Sequence, residues 1–158
     1  MFKLVKKNGK ARLGQLITKS GTVETPFFMP VATKLSVKQF STLDLKEIGN
    51  TAIISNAFVL YLRPGDKMIK KLGGIKKMIN YSGINFTDSG GFQMYSKAFL
   101  ISTSDEGVLF KSPFDGTRHF VTPEKDMEIQ LNINSDVAMC LDVMPNFHDV
   151  KKDEIEEA

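Results

Sequence analysis

Short apolar runs alternate with segments of helical spacing along most of this sequence. Runs of three to five apolar residues, bounded by polar or glycine-containing segments, predict buried strands. Strands that alternate with helices predict a parallel α/β sheet with right-handed crossovers. The predicted strands lie at residues 27–31, 51–54, 84–86 and 137–141.

Helix signals occupy the intervening segments. Ser41 can cap a helix that Gly49 stops, and residues 66–72 predict a second helix. Thr122 as N-cap and Pro123 at the first helical position open a third. Residues 149–158 are typical of a further charged helix. Apolar pairs at helical spacing in the third helix are Met127 with Leu131 and Ile129 with Ile133.

Two β-hairpins are also predicted. Residues 11–18 and 22–25 flank a turn that contains Gly21, and residues 107–111 and 117–121 flank Asp115 and Gly116. The second hairpin would follow the third strand of the parallel sheet.

Polar side chains follow three of the four predicted strands. Parallel strands place their carboxyl ends at one edge, where α/β enzymes of barrel or open-sheet type have their sites. The residues at these ends include Val31, Asn56, Asp88 and Asp142. The pattern therefore predicts a site at this edge.

Residues 87–93 (Thr-Asp-Ser-Gly-Gly-Phe-Gln) are the most informative segment. An acid, a hydroxyl, a glycine pair open to close backbone approach and an aromatic ring suit a planar, hydrogen-bonding heterocycle. A strand that turns sharply into a loop explains the same residues equally well.

Composition and charge narrow the class of protein only slightly. The 158 residues are 42% hydrophobic and 25% charged, which is typical of a soluble globular protein, and no apolar run approaches a membrane span. Cys140 is the single cysteine, which excludes an internal disulfide and fits a cytoplasmic location; we expect it to fill the sheet interior. His119 and His148 are expected to be hairpin and loop residues. The net charge of +3 permits a polyanionic partner.

Taken in order, the motifs resemble those of the tRNA-guanine transglycosylases, the queuine and archaeosine tRNA-ribosyltransferase family. The resemblance covers essentially all 158 residues but only the N-terminal part of the family's length. The matching segments are residues 25–33, 56–65, 87–93, 106–108, 112–116, 122–124 and 135–137, and then Asp142.

The resemblance implies a (β/α)8 TIM-type barrel, of which residues 1–158 would form the N-terminal half as one incomplete domain. The first hairpin would precede the barrel, and the second would be inserted after its third strand. The missing half would belong to a longer protein or to a second chain.

The activity that the resemblance implies is exchange of a guanine in tRNA for a 7-deazaguanine base. An aspartate would attack the ribose C1′, guanine would leave, and the incoming base would displace the enzyme with net retention. The identity of the incoming base stays open, since residues 57–59 (Ala-Phe-Val) and 143–144 (Val-Met) depart from common family residues near the pocket.

Site residues follow from the same resemblance. Asp88 matches the acid that contacts the base and transfers its proton, which makes it the candidate catalytic residue. Asp142 matches the acid that reads the Watson–Crick edge, and Phe92 the ring that stacks on the base. Residues matched to the rest of the base pocket are Ser89, Gly90, Gly91, Asn56 and Val31.

The family's nucleophile and structural zinc ligands would lie beyond Ala158, so we expect no metal or cofactor in this chain and no activity alone. Expected partners are tRNA, guanine or a 7-deazaguanine, and the C-terminal half of the barrel, with a dimer when complete. The alternative is a non-catalytic accessory subunit that binds tRNA or scaffolds a catalytic partner. Retention of Asp88, Ser89, Phe92 and Asp142 favours the enzyme.

Overall fold

A computed structural model describes residues 1–143 and 152 of the chain. The predicted helix over 149–158 and the predicted loop position of His148 therefore lie outside the described residues. The first sheet is antiparallel, in the order β1-β2-β3. Its strands are β1 (Phe2–Asn8), β2 (Ala11–Thr18) and β3 (Gly21–Thr25).

The sequence predicts β2 and β3 but not β1. Every residue of β1 is exposed, because only one edge of this strand is covered by a neighbour and neither face packs on the core. Its lysines give it the composition of a solvent-exposed segment, so the sequence does not indicate a strand there.

The remaining elements build two further sheets and a layer of helices. The next elements along the chain are α1 (Thr42–Glu47), β4 (Ala52–Asn56), α2 (Ala57–Leu62), α3 (Asp66–Lys71), α4 (Ile75–Met78), β5 (Ile84–Asp88) and α5 (Gly91–Met94). They are followed by β6 (Leu100–Ser104), β7 (Gly107–Lys111), β8 (Arg118–Val121), α6 (Pro123–Ile133) and β9 (Val137–Ala138).

The central sheet is parallel, in the order β4-β5-β9. The predicted strand at 27–31 is wrong in extent, because only Val31 forms a bridge, parallel to Ile54. Proline at 26 and 30 removes two of the N–H donors that a ladder needs. The strand predicted at 137–141 is also shorter, since the backbone of Met139 hydrogen-bonds the Gln130 side chain.

Helix α6 packs against α2 and α3. Of the two apolar pairs, Ile129 and Ile133 are buried, whereas Met127 and Leu131 are 36% and 71% exposed, so only the first pair faces the core. The buried side chains clustered here are Ala57, Leu60, Ile69, Ile75, Ile129 and Ile133.

The third sheet, β6-β7-β8, is antiparallel and lies in sequence between α5 and α6. The sequence predicts β7 and β8 but not β6, which pairs with β7 through an irregular register near Leu100. Phe110 on β7 packs on Phe58 of α2 at 5.2 Å between ring centroids, which fixes this sheet beside the central one. The described part of the chain is thus a mixed α/β structure with three small sheets. None of its helices has the length and hydropathy required to span a membrane.

Candidate base-binding site

The ends of β4 and β5 bring two predicted site residues side by side. Asn56 is the register partner of Asp88 in the parallel ladder. Neighbouring residues of a parallel pair project to the same face of a sheet. Both side chains therefore lie at one edge, together with the segment that leads from β9 to Asp142.

Asp88 ends β5 with a half-buried carboxyl. Its Oδ1 is buried and has no hydrogen-bond partner among the described residues. Burial raises the pKa of Asp88, and the negative charge of Asp142 raises it further, while hydrogen bonding from Asn56 and the Ala57 N–H partly opposes them. The result is an acid that holds its proton more tightly than a surface aspartate and keeps one acceptor free.

Ser89 links the end of β5 to the segment that carries Asp142. Its Oγ donates to Asp142 Oδ1 at 2.6 Å and accepts from the Gly91 N–H at 3.0 Å. Ser89 is 2% exposed, whereas Asp142 is exposed to solvent. This chain of hydrogen bonds holds a carboxylate at the surface of the site.

Gly90 and Gly91 make room for these contacts. A Cβ at Gly91 would lie 2.7 Å from Asp142 Oδ1 and closer still to its carbonyl oxygen. Gly90 has φ +80°, and a side chain there would overlap the Cβ of Phe58. Glycine is thus required at both positions, because Phe58 lies too close to one and Asp142 too close to the other for a side chain to fit.

Asn56 is 5% exposed and links three elements. Its Oδ1 accepts from the Val59 N–H at 2.8 Å and caps α2, and its Nδ2 donates to Gln93 Oε1 at 3.1 Å. It therefore fixes the end of β4 against α2 and α5.

The two apolar residues predicted for the site are open to solvent. Phe92 is 64% exposed and Val31 is 60% exposed. The stacking role of Phe92 and the pocket role of Val31 remain predictions.

Sequence reasoning missed polar residues around the site. Gln93 lies two residues after the glycine pair, and Asp126 and Gln130 stand one helical turn apart in α6, on the face shared by Ile129 and Ile133. That spacing is the signal that could have identified them. Tyr95 is a further neighbour: burial raises its pKa, as does the charge of Asp142.

Other candidate residues lie outside the site. Cys140 is exposed, and its predicted place in the interior of a complete barrel stays a prediction. His119 is in β8, where its Nδ1 lies 3.0 Å from the Tyr61 hydroxyl and its ring stacks on Phe110. Within residues 1–143 and 152, no group of three or more histidine, cysteine or acidic side chains is placed to hold a metal ion. A cavity of about 650 Å³ lined by Thr51 and Ser82 lies at the opposite ends of β4 and β5.

The arrangement can bind a flat molecule that carries several N–H donors. Asp142 presents an exposed carboxylate and Asp88 an unsatisfied acceptor with a raised pKa, beside the buried glycine pair. An acid of raised pKa is also suited to proton transfer.

The chain is similar in sequence to known proteins of one family. A family model described as "Queuine tRNA-ribosyltransferase" matches residues 7–158. Proteins named queuine tRNA-ribosyltransferase from Fusobacterium nucleatum subsp. nucleatum and Thermoanaerobacter pseudethanolicus are 46% and 50% identical over 144 and 143 residues. A protein of the same name from Streptococcus equi subsp. equi is 46% identical over 149 residues.

These matches cover 91%, 89% and 93% of this chain, but 39%, 38% and 39% of the respective relatives. The chain therefore spans about two fifths of the length of the curated relatives that it matches. The predicted resemblance to tRNA-guanine transglycosylases is confirmed, and the chain belongs to the queuine tRNA-ribosyltransferase family.

Proposed function

We propose that this chain supplies the base pocket of an enzyme that exchanges guanine in tRNA for a 7-deazaguanine base. The proposal rests mainly on the presence of two acids at one site. Asp88 Oδ1 is buried and has no hydrogen-bond partner among the described residues, and Asp142 Oδ1 accepts from Ser89 Oγ at 2.6 Å. Two carboxyl groups beside the glycine pair match the donors along the edge of a guanine-like base. The names of the relatives agree with this substrate class.

Asp142 would recognise the base. A carboxylate accepts from N1–H and the exocyclic amine of guanine together, and it would reject adenine, which has an acceptor at N1. The hydrogen bond from Ser89 uses one lone pair of Oδ1 and leaves the other carboxylate lone pairs free for the ligand.

Asp88 would move the proton of the exchange. When the bond between C1′ and the base nitrogen breaks, the departing guanine takes the electron pair and needs a proton. Burial raises the pKa of Asp88, which favours the protonated acid before this step. The incoming base would return a proton to Asp88 as it bonds to C1′.

The remaining machinery belongs to the part of the family's length that this chain does not match. That part would supply an aspartate nucleophile, which forms a covalent ribosyl intermediate, and a structural zinc site. The parallel strands described here would be half of a (β/α)8 barrel, with the antiparallel sheet β6-β7-β8 inserted after its third strand. We expect the complete enzyme to be a cytoplasmic dimer.

Incorporation of labelled guanine into tRNA tests the proposal. The chain would be assayed alone and mixed with a fragment of the Fusobacterium nucleatum relative that comprises the part this chain does not match. We expect exchange only in the mixture. The fragment assayed alone is the control for exchange that does not depend on this chain. Absence of exchange in the mixture, with tRNA binding retained, would favour the accessory-subunit alternative.

A further inference from the structure

Asp126 is a buried acid that the proposed chemistry does not use. It lies in the first turns of α6 and is 1% exposed. Gln130 Nε2 donates to its Oδ2 at 2.6 Å. The ion pairs within residues 1–143 are Lys76 with Asp136 and Lys125 with Glu128, so Asp126 has no cationic partner there. A buried carboxyl without a cation is costly in its charged form, which calls for a specific explanation.

Gln130 connects Asp126 to the base site. Its Nε2 donates to Asp126 and to the Met139 carbonyl at 2.7 Å. Its Oε1 accepts from Thr87 Oγ1 at 2.6 Å and from the Met139 N–H at 3.0 Å. Both amide protons and both lone pairs are thus used, so the amide has one orientation.

The two residues that Gln130 holds stand next to the catalytic and recognition acids. Thr87 directly precedes Asp88, and Met139 lies three residues before Asp142. Thr87 and Met139 are also joined by a backbone hydrogen bond of 3.2 Å. Any shift of the Gln130 amide would therefore move the ends of β5 and β9 relative to each other.

We propose that Asp126 is a positioning residue of the base site, which orients the Gln130 amide and places a third carboxyl group behind Asp88 and Asp142. The inference rests on the proposed function for its catalytic consequence, but the placement and titration of Asp126 are testable without it.

The electrostatics agree with this geometry. Burial raises the pKa of Asp126 to about 7; the Gln130 hydrogen bond lowers it, and the charges of Asp88 and Asp142 raise it. Asp126 would therefore ionise near pH 7. Below this pH Asp126 is neutral, and above it adds a negative charge beside the site where guanine leaves with an electron pair. Exchange should therefore weaken as the pH rises through about 7.

The first test is an NMR titration of the aspartate carboxyl carbons in this chain. We expect the Asp126 resonance to titrate near pH 7 and its midpoint to fall in Asp142→Asn. A midpoint within about one unit of 4, the ordinary range for aspartate, would overturn the proposal. So would a midpoint that does not respond to Asp142→Asn.

The second test is the pH profile of kcat/KM for guanine exchange by the complemented enzyme. Asp126→Asn keeps a carbonyl oxygen that can accept from Gln130 but cannot ionise. We expect it to remain active and to lose the decline above pH 7, which should be about three- to tenfold in the unsubstituted enzyme for a coupling near one pK unit. Asp126→Ser, which is smaller and also neutral, should lose the same decline if it folds.

Asp66→Asn is the matched control, because Asp66 is also a buried acid, 4% exposed, with one amide donor, Asn132 Nδ2, at 2.5 Å. It lies in α3, away from the strand ends, and should leave the pH profile unchanged. Equal profiles in Asp126→Asn and the unsubstituted enzyme, or the same change in Asp66→Asn, would refute the positioning role. If the unsubstituted mixture shows no exchange, the proposed function fails while the NMR titration still decides the assignment of Asp126.

Discussion

Gly91 shows how closely the candidate site is packed. Its N–H binds Ser89 Oγ, and the space where a side chain would begin is taken by Asp142. The same residue thus donates one hydrogen bond to the site and allows another to form between Ser89 and Asp142. A substitution there acts on recognition directly, since its φ demands no left-handed backbone.

Gly91→Ala should therefore weaken binding of guanine to the complemented enzyme by about tenfold or more, because the new methyl displaces Asp142 and one charged hydrogen bond is worth about 1.5–3 kcal/mol. Gly83→Ala is the control, since its Cβ would lie 2.6 Å from the Thr51 carbonyl, at the opposite ends of the strands. Calorimetry should find both variants less stable and only Gly91→Ala impaired in binding. Equal affinities in the two variants would contradict the assignment of Asp142 to the site.

Substitution of the two acids of the site should impair the enzyme in different ways. Asp88→Asn should lower the rate of exchange by about 10²–10⁴-fold through loss of proton transfer, with a smaller effect on guanine binding. Asp142→Asn should chiefly weaken guanine binding, because an amide cannot accept from two adjacent donors. Binding and single-turnover exchange separate the two effects. Asp105→Asn, an exposed acid in the turn between β6 and β7, is the control. Unchanged exchange in Asp88→Asn would refute its role.

At the scale of elements, Asp136 connects the antiparallel sheet β1-β2-β3 to the central parallel sheet. It accepts from the Asn85 N–H at 2.9 Å, forms an ion pair with Lys76 at 3.0 Å, and hydrogen-bonds Ser20 in the turn between β2 and β3. Burial opposes the charge of Asp136, but these partners outweigh it and hold its pKa below the ordinary value. The carboxylate thus holds the turn, α4 and the start of β5 together.

Asp136→Asn should lower the free energy of unfolding by about 2–4 kcal/mol at pH 7, because charged hydrogen bonds and a buried ion pair are lost. A lowered pKa means that this stabilisation is complete above the unfolded value of 3.8 and disappears as the pH falls through the folded value. The difference between the two proteins, measured by urea unfolding, should therefore shrink toward pH 3. Glu128→Gln, which removes the exposed pair with Lys125, should have a much smaller effect, because exposed ion pairs are screened by solvent. A similar cost for both variants would contradict the importance of Asp136.

Sequence signals predicted those helices whose capping residues lie next to each other along the chain. Ser41 forms a capping box with Asp44, and Thr122 caps α6 with Pro123 behind it, as their sequence contexts indicate. α2 was missed because it follows β4 without a break, and its cap, Asn56, is also the last residue of the strand. The apolar pairs in α6 do not by themselves indicate which face is buried. Gln130 is buried there because its partners lie in β5 and after β9, which no local pattern reveals.

The same limit applies to the site. The position of Asp88 at a strand end follows from the sequence, since an acid directly after an apolar run lies at the carboxyl edge of a parallel sheet. The contact between Ser89 and Asp142 spans 53 positions and depends on how β5 and β9 pair. It therefore required the structure, or the family resemblance, to be identified.

At the scale of the whole molecule, the central sheet has an outer edge at Val31 and another at β9. Large apolar side chains remain open to solvent, among them Phe28 at 81% and Val31 at 60%. Unpaired edges and exposed apolar groups are surfaces that another chain segment can cover.

We expect the complementing fragment to add strands at these two edges. Amide exchange of residues at 27–31 and 137–141 should slow by at least about tenfold on mixing, because new backbone hydrogen bonds protect them. The β1 strand, whose residues are all exposed, is the internal reference and should exchange at an unchanged rate. Faster or equal exchange at both edges would contradict the barrel arrangement.

The register of β4 against β5 has a consequence for how this protein can change in length. Asn56 lies opposite Asp88, and the connection between the two strands runs through three short helices outside the sheet. Residues inserted or deleted in that connection leave the pairing of the two side chains intact. Deletion of a single residue within either strand would turn one of them to the other face of the sheet. Natural or engineered length variation compatible with the site should thus be confined to residues 63–82, between the end of α2 and the start of β5.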